Sequence, residues 1–149
     1  MSSPRNYAVI LGVSSGFGKA TALALAKQGY HIVGVHLDRA AGMAAVDELK
    51  TALHGLGIDT HFYNVNAADQ DRRTEIVSAL SEELAKYPGA SVKVLLHSLA
   101  FGSLLPLVGD KDTKVCSQKQ LEMTMDVMAN SIVYWSQSIM AAGLFTRGA

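Results

Sequence analysis

Short apolar runs alternate with longer amphipathic segments along the 149-residue sequence. These runs lie at residues 7–11, 32–35, 60–65 and 92–96 and predict strands. The first of them is continuously apolar, which is typical of a strand covered on both faces. The segments between them, at residues 17–27, 40–53 and 69–86, predict helices. Since strands joined by helices of this length lie parallel, the pattern predicts successive βαβ units.

The predicted fold class is α/β, a three-layer sandwich around a Rossmann-like parallel sheet with strand order 3-2-1-4. Right-handed crossovers place helices on both faces of such a sheet. An irregular stretch at 102–116 precedes a long final helix predicted over 118–142. No shift in composition marks a linker, so residues 1–149 are interpreted as a single domain.

Composition and charge exclude several classes of protein. Thirteen Lys and Arg residues balance thirteen Asp and Glu residues, so the chain lacks the one-sided basic charge that nucleic acids require. The apolar stretch at 7–13 is far shorter than the roughly 18 residues that span a bilayer. A single cysteine, Cys116, excludes an internal disulfide. We expect a soluble cytoplasmic protein that binds neither nucleic acid nor membrane, and the histidine spacing predicts no metal site.

The connection between the first predicted strand and helix is rich in glycine and reads Gly12-Val13-Ser14-Ser15-Gly16-Phe17-Gly18. Glycine allows a tight turn and lets a pyrophosphate approach the backbone without meeting a Cβ atom. The start of the following helix offers free N–H groups to an anion. We interpret the segment as a phosphate-binding loop, with a tightly packed glycine turn as the alternative.

The spacing of Gly12, Gly16 and Gly18 resembles the cofactor loop of the short-chain dehydrogenase/reductase family. Asn64-Val65 stands where that family has an Asp-Val that holds the adenine ring, and Met125-Asp126-Val127 is similar to its Phe-Asp-Val. His97-Ser98-Leu99-Ala100 takes the place of Asn-Asn-Ala-Gly. It is closer to the His-Ser-Ile-Ala of the enoyl-acyl carrier protein reductases.

This resemblance implies an NAD(P)H-dependent oxidoreductase that reduces a carbonyl or enoyl group of a small molecule, with acyl thioesters as one substrate class. It also implies a set of residues that bind the cofactor. They are Gly12, Ser14, Ser15, Gly16, Phe17, Gly18, His36, Asp38, Arg39, Asn64, Val65, Ser98, Leu99 and Ala100.

The end of the second strand bears on the form of the cofactor. An acidic residue there accepts a hydrogen bond from the ribose 2′-OH and repels a 2′-phosphate. The family's position falls on His36, with Asp38 two residues later and Arg39 able to pair with a phosphate. These residues favour NADP(H) over NAD(H). The alternative role of Asp38 is to cap the following helix.

In this family the proton donor is a tyrosine followed by a lysine four or seven residues later. None of the five tyrosines of this chain has a lysine at either position. We therefore expect no catalytic residue here and no activity from this chain alone. Asn130 is the one candidate for a proton relay, two residues beyond the family's asparagine position at Met128.

The chain is expected to be incomplete relative to the family, because the family's second half of the sheet would follow it. We also expect a homo-oligomer that forms through the last helix. The alternative to the cofactor-binding half of an oxidoreductase is a non-catalytic nucleotide-binding or regulatory module, or one subunit of a split protein.

Overall fold

Four parallel strands form the centre of the fold in the computed structural model, which describes residues 4–149. The strands are β1 (Asn6–Leu11), β2 (His31–His36), β3 (Thr60–Asn64) and β4 (Ser91–His97). The helices are α1 (Gly16–Lys27), α2 (Met43–His54), α3 (Gln70–Ala85), α4 (Gln118–Met125) and α5 (Ser131–Ala141). A short 3₁₀ turn, Ala40–Gly42, precedes α2.

The strand order is β3-β2-β1-β4, and every neighbouring pair is parallel. Both the fold class and the strand order predicted from the sequence are confirmed. In the centre of the sheet, Val9 of β1 lies between Val33 of β2 and Leu95 of β4. Since strands of one direction end on one side, the loops after β1, β2, β3 and β4 all meet at the same edge of the sheet.

Alternate residues of β1 point to opposite faces of the sheet, as the strand geometry requires. Val9 and Leu11 belong to a core shared with Ile76 of α3 and Trp135 of α5. Ala8 and Ile10 belong to a second core that lies against α1 and α2. The sheet is therefore covered by helices on both faces, which explains why the central strand β1 is a continuous apolar run.

The last predicted helix is interrupted, which corrects the expectation of one regular helix over 118–142. Between α4 and α5 lies a π-helical segment, Asp126–Asn130. Here the Ser131 N–H donates to the Asp126 carbonyl, five residues back instead of four. The helix begins as the sequence suggests, with Ser117 and Gln120 forming a capping box.

The chain end described by the structure returns to the free edge of β4. The Val92 N–H donates to the Leu144 carbonyl at 2.9 Å, and Phe145 forms a parallel bridge with Val92. Within residues 4–149, no helix combines the length and the apolar character needed to cross a membrane.

Candidate functional site

The glycine loop is built by close backbone contacts that leave no room for side chains. Gly12 has a φ of +86°, and a Cβ there would lie 2.7 Å from the Ser98 carbonyl carbon. A Cβ on Gly18 would lie 2.8 Å from the carbonyl carbon of Gly12. Gly12 also donates its N–H to the Val35 carbonyl at 2.8 Å. These contacts fix the loop against the ends of β2 and β4 and against the start of α1.

Gly16 differs from these two glycines because the space beside it is open. Its φ is +52°, and a Cβ placed on it would meet nothing within 4 Å. Ser15 occupies the N-cap position of α1, but its side chain does not cap the helix. The start of α1 therefore lacks a side-chain cap from Ser15 and has open space beside Gly16, and helix starts of this kind can bind phosphate.

A cavity of about 200 Å³ lies where the strand ends meet. Its walls come from the loop after β1, the ends of β2 and β3, the segment after β4 and the π segment. The lining residues are Gly12, Ser14, Ser15, Val35, His36, Leu37, Asp38, Val65, Asn66, Ala67, Ser98, Leu99, Ala100, Phe101 and Val127. Complete small-molecule sites usually have about 300–1,000 Å³, so this cavity is smaller than a complete site of that kind.

Most of the residues predicted to bind the cofactor converge on this cavity. Nine of them line it: Gly12, Ser14, Ser15, His36, Asp38, Val65, Ser98, Leu99 and Ala100. Gly16, Phe17 and Gly18 lie beside it, at the start of α1. Arg39 and Asn64 are not part of the wall. A dinucleotide fits this donor set, because a phosphate can approach the open backbone at Gly16 while a nucleoside occupies the cavity.

At the end of β2, a buried imidazole supports a carboxylate. His36 is 2% exposed, and its Nδ1 lies 2.9 Å from Oδ2 of Asp38, which lines the cavity. The alternative role of Asp38 as a helix cap is not observed, since neither the 3₁₀ turn nor α2 has a side-chain cap. Arg39 is exposed. Asp38 therefore lines the cavity with its carboxylate held by His36, whereas Arg39 does not line it.

Asn64 has a structural position that differs from the one expected. Its amide is held by the backbone of Asp38, accepting from the N–H at 3.0 Å and donating to the carbonyl at 2.9 Å. Asn66 lines the cavity in its place. Sequence reasoning missed Asn66, although polar residues just after a parallel strand lie at the ligand edge of the sheet.

Asn130, the candidate for a proton relay, is not brought to the cavity. Its side chain is exposed and lies 3.5 Å from Oδ1 of Asp126. From the same π segment, it is Val127 that reaches the cavity wall. Between the end of β4 and the last helix, Nε2 of His97 lies 2.9 Å from Oγ of Ser131.

A second cavity, of about 310 Å³, adjoins the first. The two share Ala100 and Phe101, and the second extends along the segment after β4 to Thr124 and Met128 on the last helix. Its walls are mainly apolar. The segment is held there by a hydrogen bond from the Ser103 N–H to Oγ1 of Thr124, at 3.1 Å.

Comparison with known proteins agrees with this geometry. The sequence matches the family model described as short chain dehydrogenase over residues 6–147. No curated protein matches the sequence. Solved structures do match the fold, at sequence identities that by themselves establish only the fold.

Three of these structures illustrate the match. The trans-2-enoyl-CoA reductase of Clostridium acetobutulicum in complex with NADH has a TM-score of 0.75 at 18% identity, covering 97% of this chain and 44% of that one. The 3-oxoacyl-[acyl-carrier protein] reductase of Brucella melitensis in complex with NAD has a TM-score of 0.71 at 22% identity, covering 96% and 51%. YwfH, an NADPH dependent reductase involved in bacilysin biosynthesis, has a TM-score of 0.73 at 18% identity, covering 94% and 50%. The chain thus spans about half the length of these proteins.

Proposed function

The chain belongs to the short-chain dehydrogenase family, a family of oxidoreductases, and on this premise we propose that it supplies the dinucleotide-binding half of an NAD(P)H-dependent reductase. The reaction proposed is reduction of a carbonyl group or of an activated C=C bond. The observation that carries the proposal is the convergence of the uncapped start of α1 and three strand ends on one cavity.

Each part of that cavity suits one part of a dinucleotide. The open backbone at Gly16 would hold the pyrophosphate, and Asp38 at the end of β2 would hold the adenosine ribose. The nicotinamide half would then extend over Ser98, Leu99 and Ala100 at the end of β4. The cofactor, when bound, supplies the hydride. The chain's own residues bind it and set its direction across the sheet edge.

The form of the cofactor follows from the position of Asp38. A carboxylate in the ligand space accepts a hydrogen bond from a ribose 2′-OH and repels a 2′-phosphate. Arg39, which favoured NADP(H) in the sequence, is exposed and is not part of the cavity wall. We therefore propose NAD(H) as the preferred form, in place of the NADP(H) expected from the residue types alone.

The second cavity supports an acyl thioester as the substrate. It is mainly apolar and begins at Ala100 and Phe101, the residues that also end the cofactor cavity. An alkyl chain lying along Leu104 and Met128 would bury apolar surface while its thioester end stays beside the nicotinamide half. The His97–Ala100 motif and the activities of the enoyl-CoA and oxoacyl reductases of similar fold point the same way.

We further propose that the protein forms a homo-oligomer through its last helix and acts in the cytoplasm. Large apolar side chains are exposed along α4 and α5, among them Leu121, Met125, Val133 and Met140. A second copy of the same helix would cover them. The single cysteine, Cys116, suits a reducing compartment. Sedimentation as a monomer at micromolar concentration would contradict the oligomer.

One observation favours a second candidate function, a non-catalytic nucleotide-binding module or one subunit of a split protein. No tyrosine in these 149 residues is followed by lysine at four or seven positions. Under both proposals the chain binds a dinucleotide. They differ in whether it turns over an enoyl or oxoacyl thioester once paired with a chain that carries a tyrosine and lysine pair.

The binding step is tested by titrating the chain with NADH and NADPH and following the nicotinamide fluorescence. Gly16→Val fills the open space beside the start of α1 and is expected to abolish binding. Gly29→Val is the matched control, because Gly29 also has positive φ and open space but lies at the other end of α1. It is expected to bind the dinucleotide as the unmodified chain does. Unchanged binding by a folded Gly16→Val variant would refute the assigned loop.

A further inference from the structure

We propose that His97 is a positioning residue for the nicotinamide half of the bound dinucleotide. His97 stabilises the π segment, and it does so through its hydrogen bond with Ser131. The inference rests on the proposed function, because it concerns a residue that supports one wall of the proposed cofactor cavity. His97 is the last residue of β4 and does not itself line that cavity.

Three groups meet between the end of β4 and the last helix. Nε2 of His97 lies 2.9 Å from Oγ of Ser131 and 3.3 Å from the Val127 carbonyl oxygen. The Ser131 hydroxyl is 2.7 Å from the same carbonyl oxygen. Ser131 is fully buried, so the hydrogen bonds of its hydroxyl must be made within the protein.

The chemistry of these groups assigns the direction of each hydrogen bond. The Val127 carbonyl can only accept, so the Ser131 hydroxyl donates its one proton to it. The Ser131 oxygen is then left to accept, and the donor is the N–H at Nε2 of His97. His97 therefore carries its proton on Nε2, and its imidazole is tied through Ser131 to the backbone of the π segment.

That backbone is irregular at this point. In a regular α-helix, the Ser131 N–H would donate to the Val127 carbonyl four residues back. Here it donates to Asp126, and the Ser131 hydroxyl approaches the Val127 carbonyl instead. The link to His97 thus stabilises the π form of the segment, and the π form places Val127 in the cavity wall.

The outer side of the segment is held by different residues. The Tyr134 hydroxyl donates to Oδ1 of Asp126 at 2.8 Å, and the Arg73 guanidinium lies 5.1 Å from the Tyr134 ring. These contacts hold the segment against α3 but do not reach the cavity. The inner contact made by His97 is the one that links the segment to the end of β4, beside Ser98.

The position of this link predicts which part of the ligand depends on it. Val127 joins Ser98, Leu99 and Ala100 on the side of the cavity assigned to the nicotinamide half. The pyrophosphate and adenosine ribose are assigned to Gly16, at the start of α1, and to Asp38, just after β2. Loss of the His97 hydrogen bond should therefore weaken binding of the whole dinucleotide and leave ADP-ribose, which lacks nicotinamide, unaffected.

The test compares the affinity for NADH and for ADP-ribose in the full 149-residue chain. His97→Leu removes the donor and is expected to weaken NADH binding about three- to tenfold, the equivalent of one net hydrogen bond. ADP-ribose binding should change less than about twofold. His97→Gln, whose amide nitrogen lies at a similar distance along the side chain as Nε2, should restore NADH binding.

Two further readouts keep the test decisive if His97→Leu does not fold. Nitrogen NMR of the unmodified chain should show His97 protonated on Nε2. Ser131→Ala should weaken NADH binding in the same direction, and the double variant should be no weaker than His97→Leu, since both changes break one link.

Different failures lead to different conclusions. Equal weakening of NADH and ADP-ribose, or no change in either, would overturn the positioning role while leaving the proposed function intact. An Nε2 of His97 that carries no proton would also overturn it. If the unmodified chain binds neither ligand, the proposed function fails and this inference falls with it.

Discussion

The side chain of Asn64 holds the backbone of Asp38 by two reciprocal hydrogen bonds. Its Oδ1 accepts from the Asp38 N–H at 3.0 Å, and its Nδ2 donates to the Asp38 carbonyl at 2.9 Å. The end of β3 thereby fixes the turn that follows β2. Because Asp38 also lines the cavity, Asn64 supports the cavity wall from outside it.

Asn64→Leu is expected to lower the free energy of unfolding by about 1–3 kcal/mol, because both backbone groups of Asp38 lose their partner. Dinucleotide affinity should fall as well, since the turn that carries Asp38 is released. Asn130→Leu is the matched control: its exposed amide has one 3.5 Å contact, so its stability should stay within about 0.5 kcal/mol. Urea unfolding measures the free energy of unfolding of both variants. Equal stability of the two variants would contradict the role of Asn64.

Asp38→Asn is expected to reduce the preference for NADH over NADPH by about tenfold or more. The charge that repels a 2′-phosphate disappears, while the amide still hydrogen-bonds a hydroxyl. The measurement is the ratio of the two dissociation constants at constant ionic strength. Arg39→Gln serves as the control and should leave the ratio unchanged. Tighter binding of NADPH by the unmodified chain, lost in Arg39→Gln, would show that Arg39 binds the phosphate.

Trp135→Phe is expected to destabilise the fold by about 1–3 kcal/mol, because the substitution removes one buried hydrogen bond. Trp135 is fully buried, and its Nε1 donates to the Ala67 carbonyl at 2.8 Å. Phenylalanine has no donor and leaves that carbonyl unpaired. Circular dichroism during urea unfolding measures the change. Met140→Leu on the same helix, where the side chain is 65% exposed, should have no comparable effect.

The free energy of unfolding should decrease as the pH is lowered below about 6.5, because His31 takes up a proton more readily in the unfolded chain. Burial lowers the pKa of His31 below its ordinary value of 6.5, although Asp59 acts in the opposite direction. Its Nδ1 accepts from the Asp59 N–H at 2.9 Å, which requires that nitrogen to be unprotonated. A lowered folded-state pKa means that the unfolded chain binds more protons, so stability is fully present above pH 6.5 and is lost below it.

The variant that isolates this effect is His31→Asn, whose amide oxygen accepts a hydrogen bond but does not titrate. The free energy of unfolding, measured at intervals between pH 5 and 7.5, should have a smaller slope in this variant than in the unmodified chain. Glu83, whose pKa is lowered mainly by its hydrogen bond with Lys86, contributes only at more acid pH. Parallel slopes for the two proteins would exclude His31 as the source.

Much of the fold could be predicted because its determinants are local. The continuous apolar runs of the strands follow from burial on both faces, and the helical periodicity follows from burial on one. Gly12 and Gly18 could be assigned to a tight loop because the turn from β1 into α1 permits no side chains there. These features depend on residues close together in the sequence.

The chemistry of the site depended on contacts between distant segments. The residue type suggested Arg39 as a phosphate ligand, and the family resemblance implied Asn64 as an adenine ligand, yet neither lines the cavity. Asn64 is instead held by Asp38, 26 residues away. No local pattern reports which of two neighbouring polar side chains is taken up by the backbone of another strand.

The sequence by itself determined the family, the parallel sheet and its order, and the place of the glycine loop. Only the tertiary structure decided that Asp38 lines the cavity and that the last helix contains a π segment linked to His97, 34 residues from Ser131. The physical reason is that hydrophobic periodicity and glycine spacing act within one element. The direction of a polar side chain is decided by the donors and acceptors that other elements bring to it.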